Sequence, residues 1–113
     1  MAAREASLDQ QWREHVVRVL LDPACLFVMA ALVVSPDFYR LGYLSDCSGV
    51  TRTVLARHVR KLRYAGYIET RRGAYQQLWM RVTPLGQERF RRHMAAMEET
   101  VSQARNFGRA ARS

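Results

Sequence analysis

Cysteine is scarce in this chain: Cys25 and Cys47 are the only two, with no CxxC pairing and no histidine at metal-ligand spacing. That pattern excludes a disulfide scaffold, gives no local metal motif, and suits reduced thiols in a cytoplasmic protein. Neither thiol has a basic neighbour in sequence that would activate it, so a redox role is not expected. Long apolar runs are missing as well. Ala24 to Val34 is continuously apolar, but its eleven residues fall short of the roughly 20 that span a bilayer. It is expected as a buried core helix, and no membrane partner is implied. The opening MAAREASLDQQW lacks the charged-then-apolar order of a signal peptide. His15, His58 and His93 fall on three different expected helices, with no carboxylate or nucleophile at motif spacing. There is no glycine-rich phosphate loop. An enzyme is not expected, and no cofactor or metal is implied.

Lysine is nearly absent too. Lys61 stands alone among eighteen cations, the rest arginine, against ten acids, for a net charge of +8. Arginine is the side chain suited to bidentate phosphate and guanine contacts, although a GC-rich genome gives the same bias. Such a surplus calls for an acidic partner, nucleic acid first and an anionic membrane surface second. With 113 residues and 49% hydrophobic content, the chain has room for one folded domain.

The cations gather on one stretch, Val50 to Arg72. At helical period Val54, Leu55, His58, Val59, Leu62 and Ala65 share one side, leaving Arg52, Thr53, Ala56, Arg57, Arg60 and Lys61 on the other. Thr51 is a suitable N-cap and Gly66 a suitable left-handed stop, so the helix is predicted over Arg52 to Ala65. No acid occurs on it to pair the cations, which weighs against a merely solvated face. His58, at the edge of the apolar side, is expected to be packed and hydrogen-bonded. Directly after the helix, Tyr67 to Thr70 reads as a strand, Arg71-Arg72-Gly73-Ala74 as a turn, and Gln77 to Val82 as a second strand.

Upstream, Leu8, Trp12, Val16, Val19 and Leu20 recur at three- and four-residue steps, predicting an amphipathic helix that stops near Leu21. Asp22-Pro23 caps and starts a second helix ending before Ser35-Pro36. Asp37 to Gly42 fits either a short strand or an extended connector. Tyr43 to Cys47 is then a short helix and Ser48-Gly49 a tight turn, which with the basic helix makes a helix-turn-helix. Thr83-Pro84 opens a last helix carrying Leu85, Phe90, Met94, Met97, Val101 and Ala104, close to a coiled-coil seam. The tail from Asn106 to Ser113 is polar and basic and is expected to fray. Both terminal helices have more apolar stripe than so small a domain covers by itself, which predicts a homodimer. Its contact residues are Leu8, Trp12, Val16, Val19, Leu85, Phe90, Met94, Met97 and Val101. Trp12, Trp79, Met94 and Met97 are of types that also line ligand pockets, but core packing is the better account, and a small-molecule effector has no support here.

The fold class so reached is mainly α with a small β-hairpin, and the chain resembles a small winged helix-turn-helix transcriptional regulator of the MarR-like group. The matching residues are Ser48-Gly49-Val50-Thr51 at the turn, Leu55, His58-Val59 and Leu62 in the helix, Ala65-Gly66-Tyr67-Ile68 at its exit, and Thr83-Pro84-Leu85-Gly86. The resemblance covers about Pro23 to Met97. It divides the chain into an N-terminal dimerisation helix (1–22), a winged helix-turn-helix (23–83), and a C-terminal dimerisation helix with a basic tail (84–113). It implies a dimer on double-stranded DNA, with one basic helix per subunit in a major groove and a wing beside it. Base-facing positions are then Arg52, Thr53, Ala56 and Arg57. Thr51, Arg60, Lys61 and the wing residues Arg71, Arg72, Tyr75 and Gln76 lie toward phosphates. The turn after Arg72 is shorter than the cationic loop of many family members. The function implied is a sequence-specific repressor or activator reading a palindrome, repression being the expectation. A winged-helix module used for protein–protein assembly is the alternative.

Overall fold

The computed structural model describes residues 8–112. The expectations for the first seven residues and for Ser113 lie outside it. In chain order the elements are α1 (Leu8–His15), α2 (Pro23–Leu32), β1 (Tyr39–Arg40), α3 (Leu41–Ser48), α4 (Arg52–Tyr64), β2 (Ile68–Arg72), β3 (Leu78–Val82) and α5 (Pro84–Arg112). The core gathers Leu20, Cys25, Val28, Met29 and Leu32 from the α2 region, Leu41 and Leu44 from α3, Leu55, Val59 and Leu62 from α4, and Ile68, Met80 and Val82 from β2 and β3. Ala65, expected on the apolar side of α4, is exposed at the end of that helix.

The first helix ends earlier than its periodicity suggests. It stops at His15, Val17 is extended, and Arg18–Leu21 forms a 3-10 turn. Two consecutive β-branched residues, Val16 and Val17, favour the break. A tertiary bond fixes it: the Val17 N–H donates to Nδ1 of the buried His93 on α5 at 3.0 Å. From there Asp22 caps α2, accepting the Ala24 N–H at 2.9 Å, with Pro23 in the first turn.

The 37–42 stretch holds a strand. Tyr39 and Arg40 pair antiparallel with Met80 and Trp79, and β2 pairs along the other edge of β3, giving a three-stranded sheet in the order β1-β3-β2 where a hairpin alone was expected. Chain direction into α5 is set at Thr83, whose hydroxyl donates to the Gly66 carbonyl at 2.7 Å and accepts the Gly86 N–H at 3.0 Å. Gly86 is required here because a Cβ would lie 2.2 Å from the Tyr67 carbonyl oxygen. From this anchor α5 runs 29 residues to Arg112, so the tail expected to fray continues the helix. At about 1.5 Å per residue the helix is roughly 43 Å long, in a molecule measuring 61 × 26 × 21 Å. Among the described residues no helix is long and apolar enough to cross a membrane.

Candidate nucleic-acid interface

Between α3 and α4 the chain reverses over three residues, held by its own side chains. The Ser45 hydroxyl donates to the Val50 carbonyl at 2.6 Å, and the Ser48 hydroxyl accepts the Val50 N–H at 3.1 Å. Gly49 takes the left-handed conformation that closes α3 (φ 74°). Thr51 then caps α4 by accepting the Val54 N–H at 3.3 Å. With Leu55, Val59 and Leu62 locked in the core, rotation of α4 is fixed, and Arg52, Thr53, Arg57, Arg60, Lys61 and Arg63 point outward. Ala56 is half-buried, on the side facing the wing.

Among the described residues Arg52, Arg57, Arg60 and Arg63 form no ion pair, unlike Arg13, Arg81, Arg91 and Arg92, which meet Asp9, Glu69 and Glu88. Charge neutralisation is therefore left to something outside these contacts. Arg57, Arg60 and Lys61 share an open face with Tyr64. Arg52 reaches back over Gly42 of α3, where a Cβ would stand 2.9 Å from its guanidinium. A groove between α4 and the wing is lined by Ala56, Arg60, Arg63, Thr70, Arg72 and Leu78. Arg63 and Arg40 were not singled out from the sequence. Arg63 was masked by its place near the helix end. Arg40 joins this surface only because β1 carries it to a cleft with Arg52, Arg72 and Tyr75.

The wing differs from its expected outline. Arg71 and Arg72 belong to β2, and the turn is Gly73 to Gln77, with Tyr75 (φ 58°) and Gln76 (φ 60°) left-handed at its tip. The Gly73 N–H donates to the Gln77 carbonyl at 2.8 Å, and the Arg72 guanidinium donates to the Gln76 carbonyl at 2.9 Å. Tyr75 is 95% exposed. Consecutive strand residues face opposite ways, so the arginine pair divides. Arg72 braces the turn, while Arg71 stacks on Phe38 with its guanidinium carbon 4.3 Å from the ring centroid. Phe38 also receives Arg81, which is paired with Glu69.

Behind the interface, His93 is buried and its pKa is depressed by that burial, which keeps Nδ1 free to accept from Val17. His58, expected to be packed, stands 3.6 Å from both Cys25 Sγ and Asp22 Oδ2. This triple juxtaposition had no signal at the level of spacing, because α2 and α4 bring together residues 33 positions apart.

The residues expected at a dimer contact are spread along α1, the segment just after it and α5. α1 packs on α5 of the same chain, with the Trp12 indole N–H donating to the Thr100 hydroxyl at 2.9 Å. Leu8, Trp12, Leu85 and Val101 remain exposed, while Val16, Val19, Phe90, Met94 and Met97 are half-buried, Val19 and Phe90 against the core. Phe107, further along α5, is exposed.

Two helices joined by a tight turn, a basic second helix and a strand pair beside it define a winged helix-turn-helix. The chain belongs to the winged helix DNA-binding domain family, whose sequence signature matches residues 25–101. Among curated protein sequences none matches significantly. The fold is similar to that of a transcriptional regulator homologue from Pyrococcus horikoshii OT3, at 18% identity and a TM-score of 0.75, covering 83% of this chain and 96% of that one. It is also similar to YusO from Bacillus subtilis (16% identity, TM-score 0.69, 88% of this chain and 74% of that one). A MepR-like protein crystallised with pseudoligands matches at 14% identity and a TM-score of 0.63, over 91% of this chain and 76% of that one. The winged helix-turn-helix read from the sequence thus holds as the family, and the likeness to these regulators holds as the fold.

Proposed function

We propose that this chain is a dimeric, sequence-specific transcriptional repressor of the cytoplasm, in which α4 enters the major groove of double-stranded DNA and the wing follows the backbone. The observation that carries this reading is the row of arginines on α4 that form no ion pair among the described residues, on a helix whose opposite face is fixed in the core. Arg52, Thr53, Ala56 and Arg57 are the base-facing set. An arginine fork suits the two acceptors of guanine, and an alanine methyl suits thymine. Thr51, Arg60, Lys61, Arg71, Arg72, Tyr75 and Gln76 form the phosphate and wing set, which positions without reading sequence. Residues 23–83 do the reading. Residues 1–22 and 84–113 join two subunits through the exposed apolar positions of α1 and α5, where Leu8, Trp12, Leu85 and Val101 await cover.

Selection of duplexes from a random pool tests the reading. Two subunits related by a twofold axis select an imperfect palindrome, its half-sites about 34–36 Å apart or a multiple of that. Retention of all sequences alike, or a preferred sequence without twofold symmetry, contradicts it. Failure to retain DNA at all leaves the protein–protein assembly module as the account of the basic surface.

A further inference from the structure

Asp22, Cys25 and His58 come from two elements, the cap and first turn of α2 and the middle of α4. One candidate ligand atom from each, a carboxylate oxygen, Sγ and a ring nitrogen, lies within 4.8 Å of the other two. Two of the separations are 3.6 Å, Sγ to Nδ1 and Oδ2 to Nδ1. The second is too long for a hydrogen bond between nitrogen and oxygen. Both are the edges expected of a tetrahedron around one ion: bonds of about 2.0 Å to nitrogen and oxygen and about 2.3 Å to sulfur place neighbouring ligands roughly 3.3–3.6 Å apart. Asp22 uses Oδ1 to cap Ala24, and the Cys25 N–H also draws on its carboxylate.

From this geometry we infer that Asp22, Cys25 and His58 form a binding site for a borderline-soft divalent cation, Zn2+ by preference, on the back of the recognition helix. A thiolate, an imidazole nitrogen and a carboxylate oxygen are the donor set of zinc, whereas magnesium and calcium take oxygen alone. Three protein ligands leave a fourth position. It opens on the Asp22 and His58 side, where the side chains are 36% and 14% exposed, since Cys25 is fully buried. Burial and, after it, the Asp22 charge push the Cys25 thiol up, with Lys61 opposing. Zinc takes the thiolate form of this ligand. The bound ion ties the start of α2 to the helix carrying Arg57 and Lys61. That tether stands whether or not α4 reads DNA, so its test uses none.

Co2+ is the probe, added to the full-length reduced chain. The expected result is one ion per chain with a thiolate-to-cobalt charge-transfer band and d–d bands of tetrahedral intensity, bleached by Zn2+. Cys25→Ser removes the charge-transfer band, and Cys47→Ser, at the exposed cysteine, leaves it. Asp22→Asn keeps a good helix cap, and His58→Gln alters a partly exposed side chain, so both fold even if the buried Cys25→Ser does not. Each weakens Co2+ binding at least tenfold and abolishes the rise in Tm that Zn2+ gives the parent. A parent without the charge-transfer band overturns the inference. So does a band that survives Cys25→Ser or is lost in Cys47→Ser, or an affinity unchanged in Asp22→Asn and His58→Gln.

Discussion

His93 shows what a single residue contributes here. Its buried Nδ1 accepts from the Val17 N–H, which only a neutral ring can do, and burial lowers its pKa from the ordinary 6.5. The unfolded chain takes up the proton first as pH falls. This contribution is therefore fully present above pH 6.5 and is lost as pH drops through the depressed folded value. Thermal melts from pH 8 downward are expected to show Tm falling below about pH 6.5. His93→Gln, whose amide oxygen is an acceptor that does not titrate, flattens that fall; an equal slope in both proteins contradicts the assignment. Under the proposed function Arg57 and Arg60 have different roles, base reading and phosphate contact. Arg57→Ala is expected to lose roughly 1–3 kcal/mol and relax preference at one base pair per half-site, while Arg60→Ala weakens all duplexes alike. Quantitative binding to single-base variants of a selected site separates the two, and identical losses on every duplex count against base reading by Arg57.

At the scale of the element, α4 is held by a narrow apolar strip. Leu62 is wholly buried among core side chains, so Leu62→Ala is expected to cost on the order of 2–5 kcal/mol in a denaturant titration. A midpoint close to the parent's means the helix is turned the other way. Both ends of α4 were legible in the sequence because caps are local chemistry: Thr51 bonds to a residue three positions on, and Gly66 (φ 86°) stands where a left-handed residue costs least. What depends on distant partners was not legible. β1 is two residues long and exists through pairing with β3, too short for alternation to register. The break after His15 depends on the bond from Val17 to His93, 76 residues apart. Arg71 and Arg72 read as one basic pair until strand pleating turned them apart and Phe38 held one of them. The outward row of α4 was readable from periodicity alone, but the contributions of Arg40 and Arg63 to the groove beside it were not.

At the scale of the whole molecule, α4 and the wing gather unpaired arginines among the described residues, and apolar residues stay uncovered along α1 and α5. Leu8, Trp12, Leu85, Val101 and Phe107 are more exposed than a solitary subunit of this size favours. Light scattering at micromolar concentration is expected to give about twice 13.1 kDa, and a mass of one chain removes the dimer from the proposal. The central claim is that the cations of α4 and the wing are neutralised by DNA phosphates. Its most direct test is the dissociation constant on one selected duplex, measured over a salt series. Counterion release predicts a linear fall of log K with log salt, with a slope of about −0.9 per phosphate neutralised, and Arg60→Ala flattens it by roughly one unit for each Arg60 engaged. A parent whose binding does not change with salt, or a slope untouched by Arg60→Ala, contradicts the account.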